Sequence, residues 1–283
     1  MLQTLPRLGI STASYFNRLP IEDAVTDLAA HGVQLAELFL NTFSEYDAAF
    51  AALLKARADA GGVSVYSVHP MSMQFEPQLF SPHPRQRADA LRLFEQVLDS
   101  GRLLCATHYV MHGAAHLMGA AKGLGLARVA PILRDLADTA RGHGMVLTLE
   151  NVSWCLFSTP DFGRRLVDGL GDALRYTIDI KQAVRSGYDP LDYVDAVGAL
   201  TENLHLCDFV RTETGPRWVL PGRGECDFSV ILAALFAKGY AGPAFIEVYS
   251  DAYAATGELY DCCRTLAGRF KAADERAHPV VVR

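Results

Sequence analysis

Residues 129–151 read VAPILRDLADTARGHGMVLTLEN, and this stretch carries the repeating unit of the fold. Val129–His143 mixes Ala and Leu with charges and reads as a helix. Gly144 falls where that helix should stop. Met145–Asn151 is then a short β-rich run ending in a carboxylate, Glu150. Outward from here the same alternation recurs. The other strand-like runs are Arg7–Thr12, Val33–Phe39, Val63–His69, Leu104–His112, Leu174–Ile180, Asn203–Phe209 and Ala244–Tyr249, which makes eight in all. Helical segments between them include Ile21–His31, Asp47–Ala60 and Gln86–Ser100. Pro20 and the Thr159-Pro160-Asp161 run mark helix starts, and Gly32, Gly61, Gly101 and Gly239 mark stops.

Repeated β–α alternation with short connections implies a parallel sheet, and eight units imply closure into a (β/α)8 TIM barrel. The length of 283 residues suits one such domain spanning 1–283, with the barrel at about 7–270 and the tail Ala272–Arg283 outside it. An open doubly wound sheet is disfavoured, because no GxGxxG or GxxxxGK[ST] follows an early strand. Half the residues are hydrophobic and the net charge is -6. That acidic balance argues against nucleic acid as a partner, which needs clustered Lys and Arg. The start MLQTLPRLGIST has no signal-peptide pattern, and no run approaches a membrane span. The six cysteines form no CxxC pair and read as reduced thiols of a cytoplasmic protein.

Strands of a parallel barrel should be apolar except where chemistry requires otherwise. Here ionisable residues collect at strand carboxyl ends: His69, His112, Glu150, Asp179, His205, Glu247 and, more weakly, Glu37. The carboxyl mouth is where barrels place catalysis. Any one of these has an ordinary structural reading: a hydrogen-bonded His, a helix cap, an Arg partner for Glu37. Their recurrence at one end of successive strands argues for a shared site. Three carboxylates and one imidazole (Glu150, Asp179, His205, Glu247) suit a divalent metal such as Mn, Mg, Co or Zn.

The motifs LGISTASYF, VQLAELF, SVHP, VMHG, LENVS, TIDI, LHLCD, LPGRGECDF and FIEVY follow in order. In this series the chain resembles the xylose-isomerase-like barrels, which include sugar (phosphate) isomerases and epimerases and endonuclease IV. The resemblance covers about residues 7–270. It implies that Glu150, Asp179, His205 and Glu247 hold one metal. It implies a second metal or substrate role for His69 and His112, with Gln182, Arg211, Asp208 and Glu37 as further candidates. The third zinc of endonuclease IV requires histidines where this chain has Gln182 and, after Asp227, Ser229.

The activity so implied is metal-dependent isomerisation or epimerisation of a small carbohydrate. The metal polarises the carbonyl, and Glu150 and Glu247 act as catalytic acid and base through an enediolate. The alternative is a two-metal phosphodiesterase using His69, His112 and Glu150. A non-enzymatic sugar-binding barrel is disfavoured by the full ligand set. Met71–Pro84, Ala114–Gly125 and Arg211–Gly224 are read as the loops that shape the pocket, and association into homo-oligomers is left open.

Overall fold

The structure, a computed structural model, describes residues 7–115 and 125–277. The strands are β1 (Leu8–Ser11), β2 (Leu35–Leu40), β3 (Ser64–Pro70), β4 (His108–Met111), β5 (Val146–Glu150), β6 (Arg175–Asp179), β7 (Thr201–Leu206), β8 (Asp208–Thr212), β9 (Gly215–Val219) and β10 (Ala244–Ile246). All but β8 and β9 close into a parallel barrel in the order β1-β10-β7-β6-β5-β4-β3-β2. The chain is thus a (β/α)8 TIM barrel. Both faces of these strands are covered, which explains runs such as Leu35–Leu40 that are apolar nearly throughout.

The helices are α1 (Ile21–Ala30), α2 (Ala48–Gly61), α3 (Glu76–Leu79), α4 (Pro84–Leu103), α5 (Leu126–Gly142), α6 (Pro160–Leu170), α7 (Ile180–Arg185), α8 (Pro190–Val197), α9 (Phe228–Ala237) and α10 (Gly257–Ala277). Thr159 caps α6 by accepting from the Phe162 N–H, as its Thr-Pro-Asp start implies.

Two boundaries differ from the sequence reading. The fourth strand begins at His108 rather than Leu104, because α4 continues to Leu103 and stops at Cys105, whose φ of 59° is left-handed. Gly101 therefore lies inside α4, where a Cβ would meet the Met145 side chain at 2.8 Å; it permits close packing and does not end the helix. The run Asn203–Phe209 is broken at Cys207, and the chain leaves the barrel as an antiparallel hairpin, β8–β9. The helix α10 runs to Ala277, and Leu259, Leu266 and Phe270 share one buried face of it. Residues 116–124 of the Ala114–Gly125 loop, the first six residues and 278–283 lie outside the described residues.

Candidate metal centre

Alternation along the strands decides what enters the barrel mouth. Thr148 and Glu150, Thr177 and Asp179, and Asn203 and His205 are each two residues apart, so each pair shares a face. The lower members form a polar floor. Thr177 donates to the Thr148 hydroxyl at 2.8 Å, while Ser67 and Asn203 donate to Glu37 Oε2 at 2.7 and 3.0 Å. The upper members make the site. Asp179 lies beside His205 in the β6–β7 register, and Glu247 directly follows β10, held by its N–H to the Leu206 carbonyl.

Glu150, Asp179, His205 and Glu247 are buried, and one ligand atom from each lies within 4.8 Å of the others. Neighbouring backbone aims them. Asn151 bridges the ends of β5 and β6, donating to the Asp179 carbonyl at 2.9 Å and accepting its N–H at 2.7 Å. Asp179 Oδ1 caps α7 by accepting from the Gln182 N–H at 2.7 Å. Oδ2 is left facing inward without a hydrogen bond. Glu150 Oε2, His205 Nδ1 and Glu247 Oε2 likewise make none, although His205 Nδ1 and Glu247 Oε2 are 2.8 Å apart as charges. Buried polar atoms without partners are costly. Three carboxylates and an imidazole brought this close together, each with a buried atom that no hydrogen bond satisfies, fit the donor set of a hard or borderline dication.

The electrostatics agree. Burial pushes the Glu247 carboxyl up, but His205 and Lys181 outweigh it and hold it down at about 2. Glu150 is also buried, and His112 and His205 hold it well below the usual carboxylate range. Burial disfavours charge on His205, yet Glu247 and Glu37 raise its imidazole well above the ordinary value. Burial raises Asp179, against the pull of Lys181.

His69, His112 and Glu150 form a second cluster of ligand type. The His69 and His112 Nε2 atoms are 2.9 Å apart, and His112 Nε2 is 3.0 Å from Glu150 Oε2. The β3–α4 connection supports them: the Ser72 hydroxyl is 2.5 Å from His112 Nδ1, and Glu76 Oε2 accepts the His112 and Gly113 N–H groups. Glu37 sits one layer deeper. Its partners are Ser67, Asn203 and the two histidines His69 and His205, not an arginine.

A cavity of about 200 Å³ opens above this cluster, lined by Phe16, Phe39, Met71 and Trp154 on its apolar sides and by Lys181 and Gln182 on a polar one. A larger hollow of about 810 Å³ lies at the opposite mouth around Arg7, Arg175 and Glu202. There Arg175 is bridged to Glu202 at 2.9 Å, and among the described residues the clusters of ligand type all lie at the other mouth, so the smaller cavity is the one with available chemistry.

Gln182 reaches the cavity wall, its Oε1 accepting from the Ser153 N–H and hydroxyl. Arg211 and Asp208 are not brought to the cluster. Arg211 is exposed on the hairpin beside Glu225. The Asp208 carboxylate accepts from the N–H groups of Phe209, Gly222, Gly224 and Cys226, which makes it the knot of the hairpin. The residue that sequence reasoning missed is Lys181, with Nζ 3.2 Å from Glu247 Oε1 and 3.7 Å from Asp179 Oδ2. Its one signal was a lysine two residues beyond the strand-ending Asp179.

The family model described as xylose isomerase-like TIM barrel matches residues 25–266. The chain belongs to that family. Among solved structures, this xylose isomerase-like barrel is similar to a D-tagatose 3-epimerase-like protein, at 18% identity over 95% of this chain and 99% of that one, with a TM-score of 0.79. It is similar to an L-ribulose 3-epimerase at 18% identity over 99% of both chains, TM-score 0.77. It also resembles the 3-keto-D-glucoside 4-epimerase of E. coli at 17% identity over 93% and 99% of the two chains, TM-score 0.73. At such identities the likeness is one of fold. No curated protein matches the chain in sequence. Among the described residues no helix is long and apolar enough to cross a membrane, and no disulfide forms.

Proposed function

We propose that this barrel is a metal-dependent isomerase or epimerase of a small hydroxy-carbonyl carbohydrate. The observation that carries the reading is the clustering of four buried ligand residues, Glu150, Asp179, His205 and Glu247, one ligand atom of each within 4.8 Å of the others, beneath a cavity of small-molecule size. Those four residues would hold the metal, which when bound supplies a Lewis acid for the substrate carbonyl. Glu150 and Glu247 come from β5 and the end of β10, separated around the barrel by β6 and β7. Placed on two sides of a substrate, one carboxylate takes the proton alpha to the carbonyl and the other returns it to the same or the opposite face. Asp179 and His205 hold position. The apolar walls Phe16, Phe39 and Trp154 exclude water from the carbon that loses the proton. That similar folds include a 3-epimerase-like protein, a 3-epimerase and a 4-epimerase of sugars supports the same chemistry.

The test is solvent-deuterium incorporation into a panel of ketoses with Mn or Co added. Label at the carbon alpha to the carbonyl, lost in Glu150→Gln and in Glu247→Gln at verified metal occupancy, is the expected result. The His69–His112–Glu150 cluster favours a second reading, a two-metal phosphodiesterase. Phosphodiester cleavage that disappears in His69→Ala, with no sugar taking up deuterium, would replace the first reading by the second.

A further inference from the structure

The cavity is chemically lopsided. Phe16, Phe39 and Met71 form one side, whereas α7 and the chain after β10 supply the other. On that second side Lys181 is 4% exposed, and its Nζ also lies 4.6 Å from the centre of the Tyr249 ring. Arg185 follows four residues later, one helical turn further along the same face of α7. Its Nη1 donates to the Tyr249 hydroxyl at 2.5 Å, at the exposed rim. The two cations are thus joined through one tyrosine: Lys181 and Tyr249 line the cavity, and the exposed Arg185 lies behind the tyrosine hydroxyl, outside the lining.

Charge compensation alone accounts for Lys181, which faces Glu247 and Asp179. It does not account for Arg185, which among the described residues pairs with no carboxylate and holds only the tyrosine. A dication shared by Asp179 and Glu247 would also draw on the negative charge that Lys181 now faces, leaving the ammonium directed at whatever enters the cavity. The Gln182 carboxamide oxygen is occupied by Ser153, so its nitrogen is the end left for a ligand, and that end is a donor.

We propose that the cavity wall of Lys181, Gln182 and Tyr249, backed by Arg185 at the tyrosine hydroxyl, receives an anionic group of the substrate, so that this site takes a hydroxy-carbonyl compound bearing a carboxylate or phosphate in preference to a neutral ketose. The proposal rests on the isomerase reading, and it makes Lys181 and Arg185 determinants of specificity. The anionic end lies along the α7 wall, the carbon chain packs against the aromatic side, and the carbonyl is directed to the four-residue cluster.

Equilibrium binding of D-fructose, D-fructuronate and D-fructose 6-phosphate to the Mn-loaded and metal-free protein, by calorimetry at fixed ionic strength, tests it. At least one anion should bind roughly tenfold more tightly than fructose, and which one does distinguishes a carboxylate site from a phosphate site. The anion-to-fructose ratio should fall by about fivefold or more in Lys181→Gln and in Arg185→Gln, and Arg185→Lys should restore part of it. If Lys181→Gln lowers stability, the exposed Arg185→Gln carries the test. Fructose binding as tightly as both anions, a ratio unchanged in Arg185→Gln, or no anion binding at about 10 mM overturns the proposal. Deuterium exchange into fructose without anion preference would sink this inference and leave the isomerase reading standing. Anion preference without exchange in any ligand would do the reverse.

Discussion

Glu76 shows how a single residue can support the site without lying in it. It is fully buried, accepts the Tyr109 hydroxyl at 3.0 Å and holds the backbone that carries His112. Burial pushes its carboxyl up to about 7, despite the His112 charge and the donors around it. A carboxyl raised in the folded state stabilises at low pH, and that contribution is lost as pH rises through the folded value. The shift from 4.5 to about 7 corresponds to roughly 3 kcal/mol. Urea unfolding of wild type and Glu76→Gln should therefore diverge: relative to the variant, wild type should lose up to about 3 kcal/mol between pH ~4.5 and ~8. Gln can still accept the two N–H groups and donate to Tyr109, so parallel pH profiles would show that Glu76 is ionised throughout. The sequence hid this residue. It lies in the Met71–Pro84 connection, where one short turn, α3, forms around Pro77, and nothing in the local pattern marks a carboxylate there as buried.

At the scale of elements, strand cores were legible because burial on both faces leaves apolar runs, but their ends were not. Where a strand stops depends on partners distant in sequence. Asp208 illustrates this: following an apolar strand it reads as a further ligand candidate, yet its oxygens face four backbone N–H groups of the returning hairpin. Gly224 completes the knot, since a Cβ there would meet the Phe209 carbonyl at 2.2 Å. Each buried donor left without a partner costs about 1–3 kcal/mol, so Asp208→Ala should destabilise the protein by at least ~2 kcal/mol in urea unfolding. Metal stoichiometry at the barrel mouth should remain that of wild type. Loss of bound metal from a folded Asp208→Ala protein would instead return Asp208 to the list of ligands. Lys181 escaped notice for a related reason: α7 begins directly at Ile180, and only that tight turn folds a lysine back over its own strand end.

For the molecule as a whole, the (β/α)8 architecture and the convergence of the ends of β5, β6, β7 and β10 followed from alternation and from ionisable residues placed after apolar runs. The charge state of the cluster did not, because it depends on contacts between strands. That charge state determines how stability responds to metal. Glu150, Asp179, His205 and Glu247 come from four strands adjacent around the barrel, so one ion would tie together half of its circumference. Metal that binds only the folded protein stabilises it by about 2.7 kcal/mol at a hundredfold excess over Kd. For a chain of this size that is roughly 4–5 °C in Tm. The sign with pH also follows. In the metal-free protein the raised His205 value, set by Glu247 and Glu37 against burial, contributes stability below the unfolded value and loses it as pH rises. Metal ligation requires the same imidazole to be neutral, so it strengthens as pH rises. The gap in Tm between Mn-loaded and chelator-treated protein should therefore be wider at pH ~8 than at pH ~6. Thermal unfolding at both values, with metal content verified, measures it. A gap that narrows with rising pH would mean that His205 is not a ligand, and the absence of any gap would remove the metal from the site altogether.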